Sequence, residues 1–170
     1  MKAIKFFAVA ILFSGVSVIS SAQVTATATA SSTIVTPIGI TKTVDMNFGN
    51  VAINSTTAGT VVLAPAGTRT STGGVTLPAT VGTVSAAEFI VSGENDYTFS
   101  ITLPSTSHEI KSGSNTMSVT GFTSTPTPTG TLSATGSATV KVGATLNVSA
   151  GQAAGTDTSV TPFEVTVNYN

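Results

Sequence analysis

The chain has 170 residues, a formal net charge of −1 at pH 7, 8% charged residues and no cysteine. That length suffices for one domain with a proper core, while the sparse charge leaves no basic stripe for nucleic acid or anionic lipid. Without cysteine there is no disulfide, so packing and backbone pairing must carry all the stability.

Residues 1–22 read as a secretory signal peptide. Lys2 and Lys5 form a basic start, Phe6 to Val18 an apolar run, and Ser20-Ser21-Ala22 the small residues a signal peptidase recognises. The run is shorter than a bilayer-spanning helix needs and no other follows. The processed chain is therefore expected to begin at Gln23, to be exported to the periplasm, cell surface or extracellular space, and not to insert in a membrane. It keeps Lys42, Arg69, Lys111 and Lys141 against seven acidic residues, a net charge of −3.

Residues 23–37 form an extended segment. Val24, Ala26 and Ala28 alternate with Thr, and Ile34-Val35 follow before Pro37, with no charge, Gly or earlier Pro. Such a segment has strand character without the devices that normally protect a sheet edge. Two readings stay open: a linker or first strand folded onto its own domain, or a donor strand that completes a neighbour's sheet, with Val24, Ala26, Ala28, Ile34 and Val35 as the exchanged side chains.

Residues 38–170 read as an all-β domain. Thr, which occurs 33 times, and Val favour pleated surfaces, and the 41% of hydrophobic residues recur at strand spacing. Ile38 to Val44 opens the domain, Phe48 precedes a Gly49-Asn50 turn, and Gly59 to Leu63 is apolar enough for a central strand. Ala66 to Gly74 reads as a loop. Strand signals then recur at Val75–Leu77, Ala87–Val91, Tyr97–Leu103, Glu109–Lys111, Thr116–Phe122, Ser137–Val142 and Ala144–Val148, the rhythm of a sandwich or barrel. Ser85 to Glu88 could make one helical turn, Gly93 to Asp96 reads as a hairpin turn, and Ser124 to Gly130 as an exposed Pro/Thr connection. The clearest alternations are Tyr97, Phe99, Ile101 and Leu103, then Phe163, Val165, Val167 and Tyr169 at the carboxyl terminus. The last strand is expected in the middle of a sheet, since a well-patterned apolar strand at an edge invites pairing with other molecules. With Phe48, these residues are the expected core: Tyr97, Phe99, Ile101, Phe163, Val165, Val167 and Tyr169.

Several segments together resemble one bacterial family. They are Met46-Asn47-Phe48-Gly49-Asn50-Val51, Pro65-Ala66-Gly67-Thr68-Arg69-Thr70, Gly73-Gly74-Val75, Phe89 to Gly93, Tyr97 to Pro104, and Gly143 to Gly155. The chain is similar over nearly its whole processed length to the domain of unknown function 4402. More distantly, the Phe48-Gly49 turn and the penultimate Tyr169 are similar to spore coat protein U domains and chaperone-usher pilins. That resemblance implies an immunoglobulin-like, pilin-like antiparallel sandwich completed by a partner's N-terminal extension, with homologous subunits and a periplasmic chaperone as partners. Asp157 stands where the pilin pattern has glycine, and the pilin cysteine pair is missing.

No catalytic constellation stands out. His108 is the one histidine, no Gly-x-Ser-x-Gly elbow accompanies it, and the plain reading is an exposed loop histidine. Nothing in the spacing of Glu88, Glu94, Asp96, Glu109 and Glu164 selects a glycosidase pair. Asn95 between Glu94 and Asp96 lacks EF-hand spacing. The Gly67–Gly74 stretch lacks the Gly-Lys-Ser/Thr ending of a phosphate cradle. No cofactor, metal or enzymatic activity is expected. The expectation is a structural or adhesive surface protein, pilus-like or part of a matrix, assembling by strand addition; the alternative is a monomeric module reading a glycan or host protein with loops 66–74 and 123–130.

Overall fold

The computed structural model describes residues 22–170, so the signal peptide expected at 1–22 lies, apart from Ala22, outside the described residues. Two units separate, Met1–Thr33 and Ile34–Asn170. In the described part of the first, residues 22–33, there is no strand, despite the alternation of Val24, Ala26 and Ala28. The second unit is all-β, and no helix occurs among the described residues.

Its strands are, in the first half, β1 (Gly39–Val44), β2 (Asn47–Phe48), β3 (Ala52–Ile53), β4 (Gly59–Leu63), β5 (Arg69–Gly73), β6 (Val75–Thr76), β7 (Val84–Ser85) and β8 (Ala87–Ser92). The second half adds β9 (Thr98–Thr102), β10 (His108–Ser112), β11 (Asn115–Thr125), β12 (Thr129–Thr131), β13 (Ser137–Val148), β14 (Thr158–Ser159) and β15 (Thr166–Tyr169). One large antiparallel sheet runs β1-β8-β13-β11-β10-β14, with the β4–β5 hairpin joined to β13 as well. A second sheet of three strands runs β12-β9-β15. Two small pairs, β2–β7 and β3–β6, complete the structure.

The long β13 organises the core. Val140, Val142, Ala144, Leu146 and Val148 lie on one buried face, as the two-residue period requires. Its first half pairs with β8 and its second half with β4, the change falling between Val142 and Ala144. On the other side the β11 register shifts between Thr120 and Thr123. A bulge of this kind adds twist and lets one continuous sheet curl. Two apolar clusters result. Val140 and Val142 meet Ala87, Phe89 and Val91 of β8, Phe99 of β9 and Val167 of β15, so the two main sheets share this cluster. Ala144, Leu146 and Val148 meet Val61, Val75 and Val119. Each fully buried Val, Leu or Phe contributes roughly 1.5–3 kcal/mol relative to exposure.

Several expectations are corrected here. The carboxyl-terminal strand is an edge strand: among the described residues β15 pairs only with β9, and the ladder begins at Thr166 rather than Phe163. Residues 69–73, read as loop, form β5, because the β4 backbone offers a complete ladder from Leu63↔Arg69 to Gly59↔Gly73. Residues 85–88 make no helical turn: Ser85 ends β7, and Ala87 and Glu88 begin β8. The turn at Gly93–Asp96 joins strands of different sheets, so it is not a hairpin. Of the Pro/Thr connection, Ser124 is buried, its hydroxyl donating to the Pro126 carbonyl at 2.8 Å. His108 belongs to β10 and packs edge-on against Phe163, ring centroids 6.1 Å apart.

Candidate functional site

The expected core residues do not behave alike. Phe99 and Val167 are buried in the shared cluster, and Ile101, Phe163, Val165 and Tyr169 pack against it half-buried. Phe48 packs half-buried on the other cluster. Tyr97 is outside both at 45% exposure, because it precedes β9 and its ring lies against that of Tyr169, centroids 5.6 Å apart. Phe163 is gripped by Phe89, Phe122 and His108. Of the expected exchange residues, Val24 and Ile34 are 91% and 95% exposed, Ala26 and Ala28 are also exposed, and Val35 is half-buried.

The open edge of β15 follows from its ladder with β9. The Asn170 amide donates to the Thr98 carbonyl at 3.2 Å. In an antiparallel ladder bonded pairs alternate, so Asn168 faces Ser100 and Thr166 faces Thr102 as bonded pairs. Val167 and Tyr169 therefore turn their N–H and C=O groups away from β9. Among the described residues no strand pairs with that edge. β1 runs beside β15, but no ladder joins them. Ile38, Ile40, Met46 and Val165 pack half-buried against the cluster shared by the two main sheets. Val167 and Tyr169 thus present unpaired backbone groups on this edge, the chemical requirement for adding an extended strand.

At the carboxyl end of that edge sits a small polar hub. The Tyr169 hydroxyl accepts a hydrogen bond from the Glu94 amide at 2.6 Å and donates one to the Thr36 carbonyl at 2.7 Å. The Thr36 amide donates to the Glu94 carboxylate at 2.8 Å. That bond holds the Glu94 carboxyl below its ordinary value. Gly93 makes the approach feasible, since a Cβ there would lie 2.2 Å from the Tyr169 hydroxyl oxygen. Three elements thus meet: the residue before Pro37, the β8–β9 turn and the last strand. The alternation placed Tyr169 on the inward face but gave no sign of what its polar tip would bind, nor that Glu94 and Thr36 would be involved.

A second polar knot accounts for two of the sequence motifs. The Arg69 guanidinium donates to the carbonyls of Phe48, Asn50 at 2.8 Å and Val81 at 3.3 Å. It joins the Phe48-Gly49-Asn50 turn to β5 and to the loop before β7. Gly49 has φ 67°, and a Cβ on it would come within 2.5 Å of the Val81 carbonyl oxygen.

No group of three or more His, Asp or Glu side chains is arranged to hold a metal ion among the described residues. His108 Nε2 is buried with no hydrogen-bond partner among the described residues. An open cleft of about 540 Å³ lies over the large sheet, with Thr60, Glu109, Thr116, Ser118 and Asn147 in its lining. Comparison with curated proteins and with solved structures gives no match. The profile of one family, described as Domain of unknown function (DUF4402), matches residues 38–169. From the opening of β1 to the end of β15, the chain belongs to the DUF4402 family.

Proposed function

We propose that this protein is an exported structural or adhesive subunit that assembles by β-strand addition, the segment 23–35 of one copy pairing with the open edge of β15 in another. The reading takes the body as an immunoglobulin-like sandwich, β1-β8-β13-β11 facing β9-β15 across the Phe99–Val167 cluster, with one strand position left empty. The observation that carries it is the pair of residues Val167 and Tyr169, whose backbone groups point to an edge that no described strand covers. An uncharged alternating segment lies in the same chain. Main-chain hydrogen bonds would supply affinity, and alternate side chains such as Ile34 would add apolar contact.

The test compares a chain beginning at Gln23 with one lacking residues 23–35, by light scattering across concentration. The longer chain forms oligomers and the shorter one stays monomeric. Equal monomeric masses for both would remove strand addition. A second reading, a monomeric module for a polar ligand such as a glycan, is favoured by the hydroxyl-lined cleft around Thr60, Ser118 and Asn147. The cleft replaces residues 66–74, most of which are strand, as the binding surface. Glycan binding lost on Asn147→Ala, by a chain that never multimerises, would establish it instead.

A further inference from the structure

We propose that the cleft over the large sheet is a site for one extended, β-linked, neutral polysaccharide chain, which lies across the strands instead of along them. This rests on the reading of that cleft as a glycan site and adds to it the shape, direction and charge of the ligand.

Four ladders in register build a row of polar side chains. Thr72 of β5 stands opposite Thr60 of β4, Thr60 opposite Asn147 of β13, Asn147 opposite Ser118 of β11, and Ser118 opposite Glu109 of β10. Val61, Leu146, Val148 and Val119, the chain neighbours of these residues, point into the core, so the row stands on the outer face. Thr60, Asn147, Ser118 and Glu109 line the cleft of about 540 Å³, and Thr72 continues their row beyond it. Neighbouring strands lie about 4.8 Å apart, comparable with the advance of one pyranose ring in an extended β-linked chain. One ring per strand is therefore the natural fit. Successive strands also turn by roughly 20–25°, so the row winds as it advances. A single chain can follow that twist and a flat crystalline face cannot.

The chemistry of the row selects a neutral polyol. Both amide hydrogens of Asn147 are engaged, with the Ser118 carbonyl at 3.1 Å and the Thr120 hydroxyl at 2.9 Å, so the amide is held with its Oδ1 left to accept. The Thr60 and Thr72 hydroxyls bond each other at 2.7 Å, which uses one of their two protons and leaves the other for a ligand. Groups that both donate and accept match the hydroxyls of a sugar. Lys111 lies 3.4 Å from the Glu109 carboxylate and balances its charge, so the row has no net charge with which to select an ion. Val62, two residues along β4 from Thr60 and 41% exposed, offers an apolar contact to the C–H face of a ring. No aromatic side chain lines the cleft among the described residues. A single ring is therefore held weakly, and affinity accumulates along the chain.

The experiment titrates the chain from Gln23 with cello-oligosaccharides of two to six rings by calorimetry, and with malto-oligosaccharides of equal length, whose α-linkage coils them away from a line. One net hydrogen bond of ordinary strength per added ring predicts roughly a fivefold gain in affinity for each ring up to the fifth, where the row ends, and no gain at the sixth. The malto series shows no such progression. Thr72→Ala, an exposed change at the end of the row, removes the gain at the fifth ring only. Affinity independent of length, a gain unaltered by Thr72→Ala, or binding confined to other glycans would overturn the row and leave the cleft a glycan site. A glycan array blank for the parent chain would overturn the cleft reading and the row together.

Discussion

Removing the Arg69 side chain tests whether the two sequence motifs it joins are held by this one residue. Its guanidinium reaches three backbone carbonyls, those of Phe48, Asn50 and Val81. A hydrogen bond from a charged donor is worth about 1.5–3 kcal/mol where water is excluded. Only the bond to Phe48 is half-buried; the other two are exposed, and water replaces much of what they provide. The expected loss for Arg69→Ala is therefore about 2–3 kcal/mol, one desolvated bond plus a remainder from the others. Arg69→Lys recovers less than half, since a single ammonium cannot span three acceptors set around a planar fork. The assay is urea unfolding of a chain lacking residues 23–35, so that assembly does not enter. The midpoint falls while the slope stays constant, because the surface exposed on unfolding is unchanged. Arg69→Ala within about 0.5 kcal/mol of the parent, the range of an ordinary surface substitution, would show that the three carbonyls bond equally well to water. The reasoning would then be wrong.

The same unfolding assay ranks the aromatic residues. Phe99→Ala, which empties a fully buried site, costs about 3–5 kcal/mol, whereas Tyr97→Ala at 45% exposure costs far less; the reverse order would contradict the placement of β9. Burial raises the Asp157 carboxyl above its ordinary value, and its Oδ1 has no hydrogen-bond partner among the described residues. A raised carboxyl favours the fold only below its unfolded value and is unfavourable once pH exceeds the folded one. Asp157→Asn should therefore be the more stable protein at pH 7, the difference closing near pH 3. Glu94 has the opposite sign: its lowered carboxyl contributes stability above its ordinary value of 4.5, lost as pH falls through the folded value. A pH series on Glu94→Gln should lose that part of the acid dependence, and identical profiles would disprove the link to Thr36.

The periodicities carried most of the strand content, and some of the core. Phe99 and Val167 could be read as buried because each sits in a clean alternation, and Gly59–Leu63 could be read as an interior strand from its run of apolar residues. What local pattern could not carry was partnership. The strand Arg69-Thr70-Ser71-Thr72-Gly73 has no apolar residue, so nothing in its period distinguishes it from loop; it is a strand because β4 offers it a ladder. The edge position of β15 depends on pairing with β9, more than sixty residues away in the chain. The rule that apolar edges are protected argued for the opposite position. The hub was hidden for a related reason: Thr36 and Tyr169 are 133 positions apart, and Glu94 lies in a turn whose residues suit many loops equally well.

Strand addition is tested most directly by separating donor from acceptor. The Val167 amide points away from β9, so Val167→Pro removes a group from the open edge and none from the existing ladder. A chain from Gln23 carrying Val167→Pro can give a strand but not receive one, and a chain lacking residues 23–35 can receive but not give. Each alone should be monomeric, and mixed at equal concentration they should form a 1:1 heterodimer that grows no further. Two monomer masses persisting in the mixture, while the parent chain still oligomerises, would contradict the β15 edge as the acceptor.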